Sequence, residues 1–114
     1  MIGAKLIALG ILVVTSYRPV PEQTKPECTG RHHCETANGN NVSMYGVAVS
    51  QDWIRAGILH FGDALYVPGY GIRVIDDVMG PRATHAIDLL VFTKAQEHKV
   101  GVKHLQVYKI EVIK

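Results

Sequence analysis

The segment Val67–Leu89, VPGYGIRVIDDVMGPRATHAIDL, decides the fold expected for this chain. Its Pro-Gly-Tyr-Gly turn separates two β-rich runs, and the second run ends in Asp76 and Asp77. Asp88 follows eleven residues after Asp77, inside an apolar run. Burying a carboxylate costs free energy unless the group is paired or protonated. Asp88 is therefore either structural, held by backbone hydrogen bonds, or catalytic, and a second carboxylate at the end of a neighbouring strand favours catalysis.

Length and composition indicate one globular domain over residues 1–114. Hydrophobic residues make up 47% and charged residues 19%, which is ordinary for a folded protein. The net charge of +2 is too small to indicate nucleic acid, and no run of lysine and arginine supports that partner. We therefore expect no nucleic-acid partner, and the sequence does not identify protein partners.

The N-terminus carries the apolar run LIALGILVV directly after Lys5. Nine residues are too few to span a bilayer, which needs about twenty, so no stable membrane insertion is expected. The run has the length of a signal-peptide core, but no A-x-A-like cleavage site follows. We therefore expect residues 1–13 to enter the first strand rather than to form a signal peptide, and export by another route remains open.

Short β-rich runs separated by turn residues predict a mainly β protein, a small barrel or sandwich, with two short helices. The expected strands are Leu6–Tyr17, Tyr45–Val49, Ala64–Val67, Gly71–Asp77, Ala86–Phe92 and His104–Ile113. One helix is expected after Ser50, an N-cap residue type, with Asp52 in its first turn. The other is expected at Thr93–Lys99, where Thr93 and Gln96 match a capping box.

A long polar segment between the first two strands contains four residue types that bind zinc: Cys28, His32, His33 and Cys34. Their spacing matches no established zinc motif, and adjacent histidines seldom bind the same ion. A disulfide in an oxidising compartment and two free thiols are the alternatives. We predict no metal site and no organic cofactor.

Six segments in order carry a resemblance to a known family. They are VTSY at 14–17, ETANG at 35–39, GVAVS at 46–50, GDALYVPGYGIRVIDDVMG at 62–80, AIDL at 86–89 and VGVKHLQVYKI at 100–110. This pattern resembles the 3D (three-aspartate) domain family, to which the catalytic barrel of membrane-bound lytic transglycosylase A and the stationary-phase survival proteins are related. The resemblance implies a six-stranded double-psi β-barrel. It also implies cleavage of peptidoglycan between N-acetylmuramic acid and N-acetylglucosamine, leaving a 1,6-anhydro ring on muramic acid.

The resemblance places two of the family's three aspartates at Asp77 and Asp88, and Ser50 stands where the first is expected. Ser50 either keeps a hydrogen bond in the site or serves only as the helix N-cap. Asp52, two residues on, is a candidate substitute, but a helical turn there would aim its side chain away from the site. The serine favours a rival interpretation, a wall-binding or phage structural barrel without catalysis. A zinc-stabilised interaction domain is a third.

The expected chemistry assigns Asp88 as general acid and then base, because apolar neighbours and a like charge keep a carboxyl protonated near neutral pH. Asp77 is expected to stabilise the oxocarbenium-like charge. The candidate substrate-binding residues, taken mainly from the resemblance, are Thr15, Tyr17, Thr36, Gly39, Ser50, Tyr70 and Gly80. Trp53 is expected in the core. Peptidoglycan glycan strands would be the partner, at a bacterial cell wall reached by periplasmic, secreted or phage-delivered protein.

Overall fold

The computed structural model describes residues 3–18 and 45–113. The predicted groove residues Thr36 and Gly39 lie outside these ranges, as does the cysteine and histidine cluster at 28–34. The described residues form six strands and two short helices. They are β1 (Gly3–Tyr17), β2 (Gly46–Val49), α1 (Gln51–Arg55), β3 (Ala64–Val67), β4 (Gly71–Val78), β5 (Ala86–Leu90), α2 (Lys94–Val100) and β6 (Lys103–Ile113).

The six strands close into one barrel in the order β1-β5-β2-β4-β3-β6. Two pairs are parallel, β1 with β5 and β2 with β4, and the other four are antiparallel. Exchanging β1 with β4, β2 with β5 and β3 with β6 leaves the neighbours of each strand, and whether each pair is parallel or antiparallel, unchanged. The fold therefore has approximate two-fold symmetry in its topology. The predicted mainly β, six-stranded barrel with two helices is confirmed.

Alternation along the strands fills the barrel interior with aliphatic side chains. Ten strand residues there have no exposed surface: Leu12, Val14, Val47, Val49, Leu65, Val67, Ile75, Ile87, Leu89 and Val107. Leu59 and Trp53, which follow β2, extend the same cluster, so Trp53 has the core role that the sequence predicted. Because the interior is fully occupied by these side chains, any site must lie on the outside or at an end of the barrel.

The N-terminal apolar run belongs to β1, which begins three residues earlier than expected. Its first part pairs with β6 alone, from Gly3 opposite Ile113, and its last residues, Thr15–Tyr17, pair with β5 alone. In the described part of the chain, no helix has both the length and the apolar character needed to cross a membrane.

The second helix is capped as the sequence predicts. The N–H of Gln96 donates to the Thr93 hydroxyl at 3.1 Å. The Gln96 side-chain oxygen accepts from the N–H groups of Phe92 and Thr93, at 2.9 and 3.2 Å. These bonds draw the backbone away from the sheet, so β5 ends at Leu90, two residues before its predicted end. Gly101 ends the helix with φ +54°, a conformation that favours glycine.

Candidate active site on the outer face of the barrel

Four residues from four strands form one row across the outer face. Thr15 is the register partner of Asp88, and Asp88 is also the partner of Ala48. On the other side, Ala48 pairs with Asp77. Paired residues share a face of a sheet, and the alternate residues Val14, Ile87 and Val49 fill the interior. The row Thr15-Asp88-Ala48-Asp77 therefore lies on the opposite, outer face.

This row corrects one expectation from the sequence. Asp77 and Asp88 do not lie on neighbouring strands, because β2 runs between β4 and β5. Their Cα atoms are about 10 Å apart, two strand spacings. Ala48 lies between them, and its methyl group is buried at 4% exposure against Tyr17 and Leu90. Asp88 also lies in the middle of β5 rather than at its end.

Asp88 is partly buried and has one side-chain donor. The Thr15 hydroxyl donates to Asp88 Oδ1 at 2.8 Å. Burial raises the pKa of Asp88 to about 6; the Thr15 hydrogen bond opposes this rise, while the negative charges of Asp77 and Glu97 add to it. Because Oδ1 accepts the Thr15 hydrogen bond, the proton of the neutral acid is favoured on Oδ2.

Glu97 is a neighbour of Asp88 that the sequence did not suggest. It lies on α2, and Arg18 Nε donates to Glu97 Oε1 at 3.3 Å. The Arg18 guanidinium partly neutralises the charge of Glu97, and so weakens the repulsion between Glu97 and an ionised Asp88. The pair also joins the end of β1 to α2, beside the row of site residues.

A β-bulge in β4 brings a third aspartate to the site. Val47 pairs with Ile75, but the next residue of β2, Ala48, pairs with Asp77. Asp76 is therefore the extra residue of the bulge, and it is buried at 8% exposure. Its carboxylate occupies the space that a Cβ on Gly46 would fill, 2.5 Å from the ideal Cβ position to Asp76 Oδ2.

Tyr17 is buried above the three aspartates, beside Leu90 and Ala48 in a small apolar cluster that Met79 extends. Burial raises the pKa of its hydroxyl, and Asp77, Asp76 and Asp88 raise it further. The hydroxyl therefore stays neutral, and among the described residues it has no hydrogen-bond partner.

The predicted site residues Thr15, Tyr17, Asp77 and Asp88 thus lie together, and Asp76 joins them. The sequence signal for Asp76 was only its position beside Asp77, because the bulge leaves no mark in the residue pattern.

Ser50 is fully buried, and its role in this structure is to connect strands. Its hydroxyl accepts from the N–H of Ala86 at 3.1 Å, and its own N–H donates to the Ala86 carbonyl at 3.0 Å. Ser50 is the N-cap residue of α1, as expected, but its side chain makes no capping hydrogen bond. The serine therefore joins the end of β2 to the start of β5, below the row.

Asp52 does not replace the missing aspartate. Its Oδ2 accepts from the N–H of His85 at 3.0 Å and lies 3.4 Å from His85 Nδ1. Partial burial would raise the pKa of Asp52, but hydrogen bonds from Ser50 and from backbone groups, together with the His85 ring, lower it overall. The His85 ring packs edge-on to Trp53 at 5.2 Å between centroids. Asp52 and His85 thus fix the start of β5.

The remaining predicted residues lie apart from the row. Gly80 is exposed in the connection after β4, where its carbonyl accepts from the N–H of Ala83. Tyr70 is half-buried in the β3–β4 turn and packs against the core cluster. Both are near strand ends that frame the barrel, but the row itself contains neither.

Replacing Gly46 with Ala is expected to destabilise the fold. The new methyl group would collide with the buried Asp76 carboxylate, and such overpacking typically costs about 1–3 kcal/mol. Urea unfolding followed by tryptophan fluorescence measures the change. Gly80→Ala is the matched control, because a Cβ there meets nothing within 4 Å. Equal unfolding midpoints for the two variants would contradict the close approach of Asp76 to Gly46.

A search with protein-family models finds no match to this chain. Comparison with curated protein sequences also finds no match. The resemblance to the 3D domain family therefore depends on the ordered motifs, and the functional argument depends on the geometry of the row.

Proposed function

We propose that this protein is a lytic transglycosylase of the 3D-domain type that cleaves the glycan strands of peptidoglycan. The observation that carries the proposal is the environment of Asp88. Its carboxyl is partly buried, held by Thr15, and has a pKa of about 6. A group with that pKa exchanges a proton readily near neutral pH, as general acid and base catalysis requires. Asp77 faces it across the short side chain of Ala48.

In the proposed first step, the acid proton on Asp88 Oδ2 moves to the glycosidic oxygen between the two sugars. The bond from muramic acid C1 to that oxygen breaks, and its electron pair leaves with the N-acetylglucosamine hydroxyl. Positive charge develops at C1 and the ring oxygen. Asp77, and behind it Asp76, favour this charge because they place negative groups on the same face.

In the second step, the C6 hydroxyl of the same muramic acid attacks C1. Asp88, now a carboxylate, accepts the C6 hydroxyl proton as the new C1–O bond forms. The product is the 1,6-anhydro sugar, and Asp88 returns to its protonated state. One carboxyl therefore serves both steps, whereas a hydrolase needs a second group to activate water.

The proposal is tested by incubating purified protein with bacterial sacculi and analysing the soluble products by mass spectrometry. Anhydro-muropeptides, lighter by one water than hydrolysis products, are the expected result. Reducing-end muropeptides without the anhydro ring would instead identify a hydrolase.

A second candidate function is a wall-binding or phage structural barrel without catalysis. The observation that favours it is Ser50, which stands where the resemblance places an aspartate and is fully buried, with its hydroxyl accepting from the N–H of Ala86. Co-sedimentation with sacculi in the absence of product release would support this alternative over the enzyme.

A further inference from the structure

A concave region lies at the end of the barrel where the β3–β4 turn faces the start of β6. This cleft has a volume of about 460 Å³, and the described residues that line it are Pro68, Gly69, Tyr70, Lys99, Lys103 and Leu105. Tyr70 and Leu105 both pack against the hydrophobic core. The floor of the cleft is therefore apolar and fixed in position by the barrel.

Two lysines give the cleft a positive rim. Lys99 comes from the last turn of α2, and Lys103 is the first residue of β6. Neither forms an ion pair within the described part of the chain, whereas Lys109 is paired with Asp63 and Glu111, and Lys5 with Glu111. Two unpaired ammonium groups beside an apolar floor favour a ligand with a carboxylate on an aliphatic body.

The cleft is close to the row of aspartates. Lys99 is two residues from Glu97 on α2, and the charge of Glu97 reaches Asp88. On the other rim of the cleft, Lys103 is the register partner of Val14 on β1, the residue before Thr15 of the row. A polymer whose backbone crosses the outer face could therefore place a side branch in the cleft.

We propose that this cleft binds the carboxylate of a short acidic peptide. A volume of about 460 Å³ suits a ligand of two or three residues. Lysines supply point charges. Among the described lining residues there is no arginine, the residue that binds phosphate through two parallel hydrogen bonds. The identity of the peptide rests on the proposed function: it is the acidic peptide branch of peptidoglycan, so the enzyme would prefer peptide-bearing glycan to bare glycan.

The test is an NMR titration of the labelled protein with the synthetic peptide N-acetyl-L-Ala-γ-D-Glu-L-Lys, whose acetylated amino terminus leaves a net negative charge. Saturable shifts at Tyr70, Lys103 and Leu105 are expected, and the same peptide with amidated carboxyls should bind at least tenfold more weakly. The double variant Lys99→Gln, Lys103→Gln should raise the Kd at least tenfold. Lys94→Gln, exposed at the start of α2 and outside the cleft, is the matched control and should leave the Kd unchanged.

Three results would overturn the proposal: no saturable shifts, equal binding of the amidated peptide, or an unchanged Kd in the double variant. Stronger binding of inorganic phosphate at the same signals would also overturn it, in favour of a phosphate site. The outcome is separable from the enzymatic proposal. Peptide binding without cleavage of sacculi would support the cleft proposal and contradict the enzymatic one. Cleavage of sacculi that the double variant does not change, together with no peptide binding, would support the enzymatic proposal and contradict the cleft proposal.

Discussion

Asp88→Asn is expected to reduce the release of anhydro-muropeptides from sacculi by at least about a thousandfold. The amide cannot give a proton to the glycosidic oxygen or accept one from the C6 hydroxyl, and general acid–base catalysis contributes about 10²–10⁴ to a rate in each role. Asparagine keeps the size of the side chain, and its oxygen can still accept the Thr15 hydrogen bond. The loss should therefore come from chemistry and not from unfolding.

Glu111→Gln is the matched control for this comparison. Glu111 lies on β6, outside the row, and pairs with Lys5 and Lys109 on the surface. Its conversion to the amide removes one negative charge, as Asp88→Asn does, but should leave the rate unchanged. If the Asp88→Asn protein kept more than a tenth of the wild-type rate, Asp88 would not be the acid and base.

Asp88→Asn is also expected to stabilise the fold above pH 6. Burial raises the pKa of Asp88 from its ordinary value near 4 to about 6, so ionising this group is more costly in the folded state than in the unfolded chain. The wild-type protein carries no such penalty below pH 4. The penalty grows between pH 4 and 6 and is complete above that range. A rise in the pKa from near 4 to about 6 corresponds to about 2–3 kcal/mol, which the neutral amide avoids.

Urea unfolding at pH 4 and pH 8 measures this effect. The variant should equal the wild type at pH 4 and exceed it by about 2–3 kcal/mol at pH 8. Glu111→Gln should change little at either pH, because surface ion pairs contribute up to about 1 kcal/mol. A variant that is less stable than the wild type at pH 8 would show that the Asp88 carboxylate is stabilising, contrary to its burial.

Local signals in the sequence predicted the elements of this fold well. The Pro-Gly-Tyr-Gly turn fixes the β3–β4 hairpin, and β3 has the predicted bounds. The capping box of Thr93 and Gln96 forms as predicted, because its bonds join residues three apart. Each of these features depends only on residues close together in the chain.

The position of the candidate site in the barrel could not be predicted from such local signals. β2 enters the sheet between β4 and β5, and this order depends on long-range pairing that no short segment encodes. The bulge that adds Asp76 also arises from the pairing of β4 with β2. Ser50 looked like a helix cap or a site residue, but its partner is the N–H of Ala86, thirty-six residues away.

The approximate symmetry of the barrel explains where the row lies. Ala48 and Asp88 are paired on β2 and β5, the two strands that the symmetry exchanges, and Thr15 and Asp77 are their partners on β1 and β4. The candidate site thus straddles the two-fold axis between halves. The sequence shows no repeat because the halves share strand order rather than residues.

The proposed activity depends on one property of Asp88, a carboxyl group that keeps its proton into the neutral pH range. Its most direct test is to follow the side-chain carboxyl ¹³C signal of Asp88 by NMR from pH 3 to pH 9, with the Asp88→Asn variant to assign the signal. We predict a titration midpoint near 6. A midpoint at or below 4 would mean an ordinary, ionised carboxylate, and would contradict both the catalytic role and the pH-dependent stability.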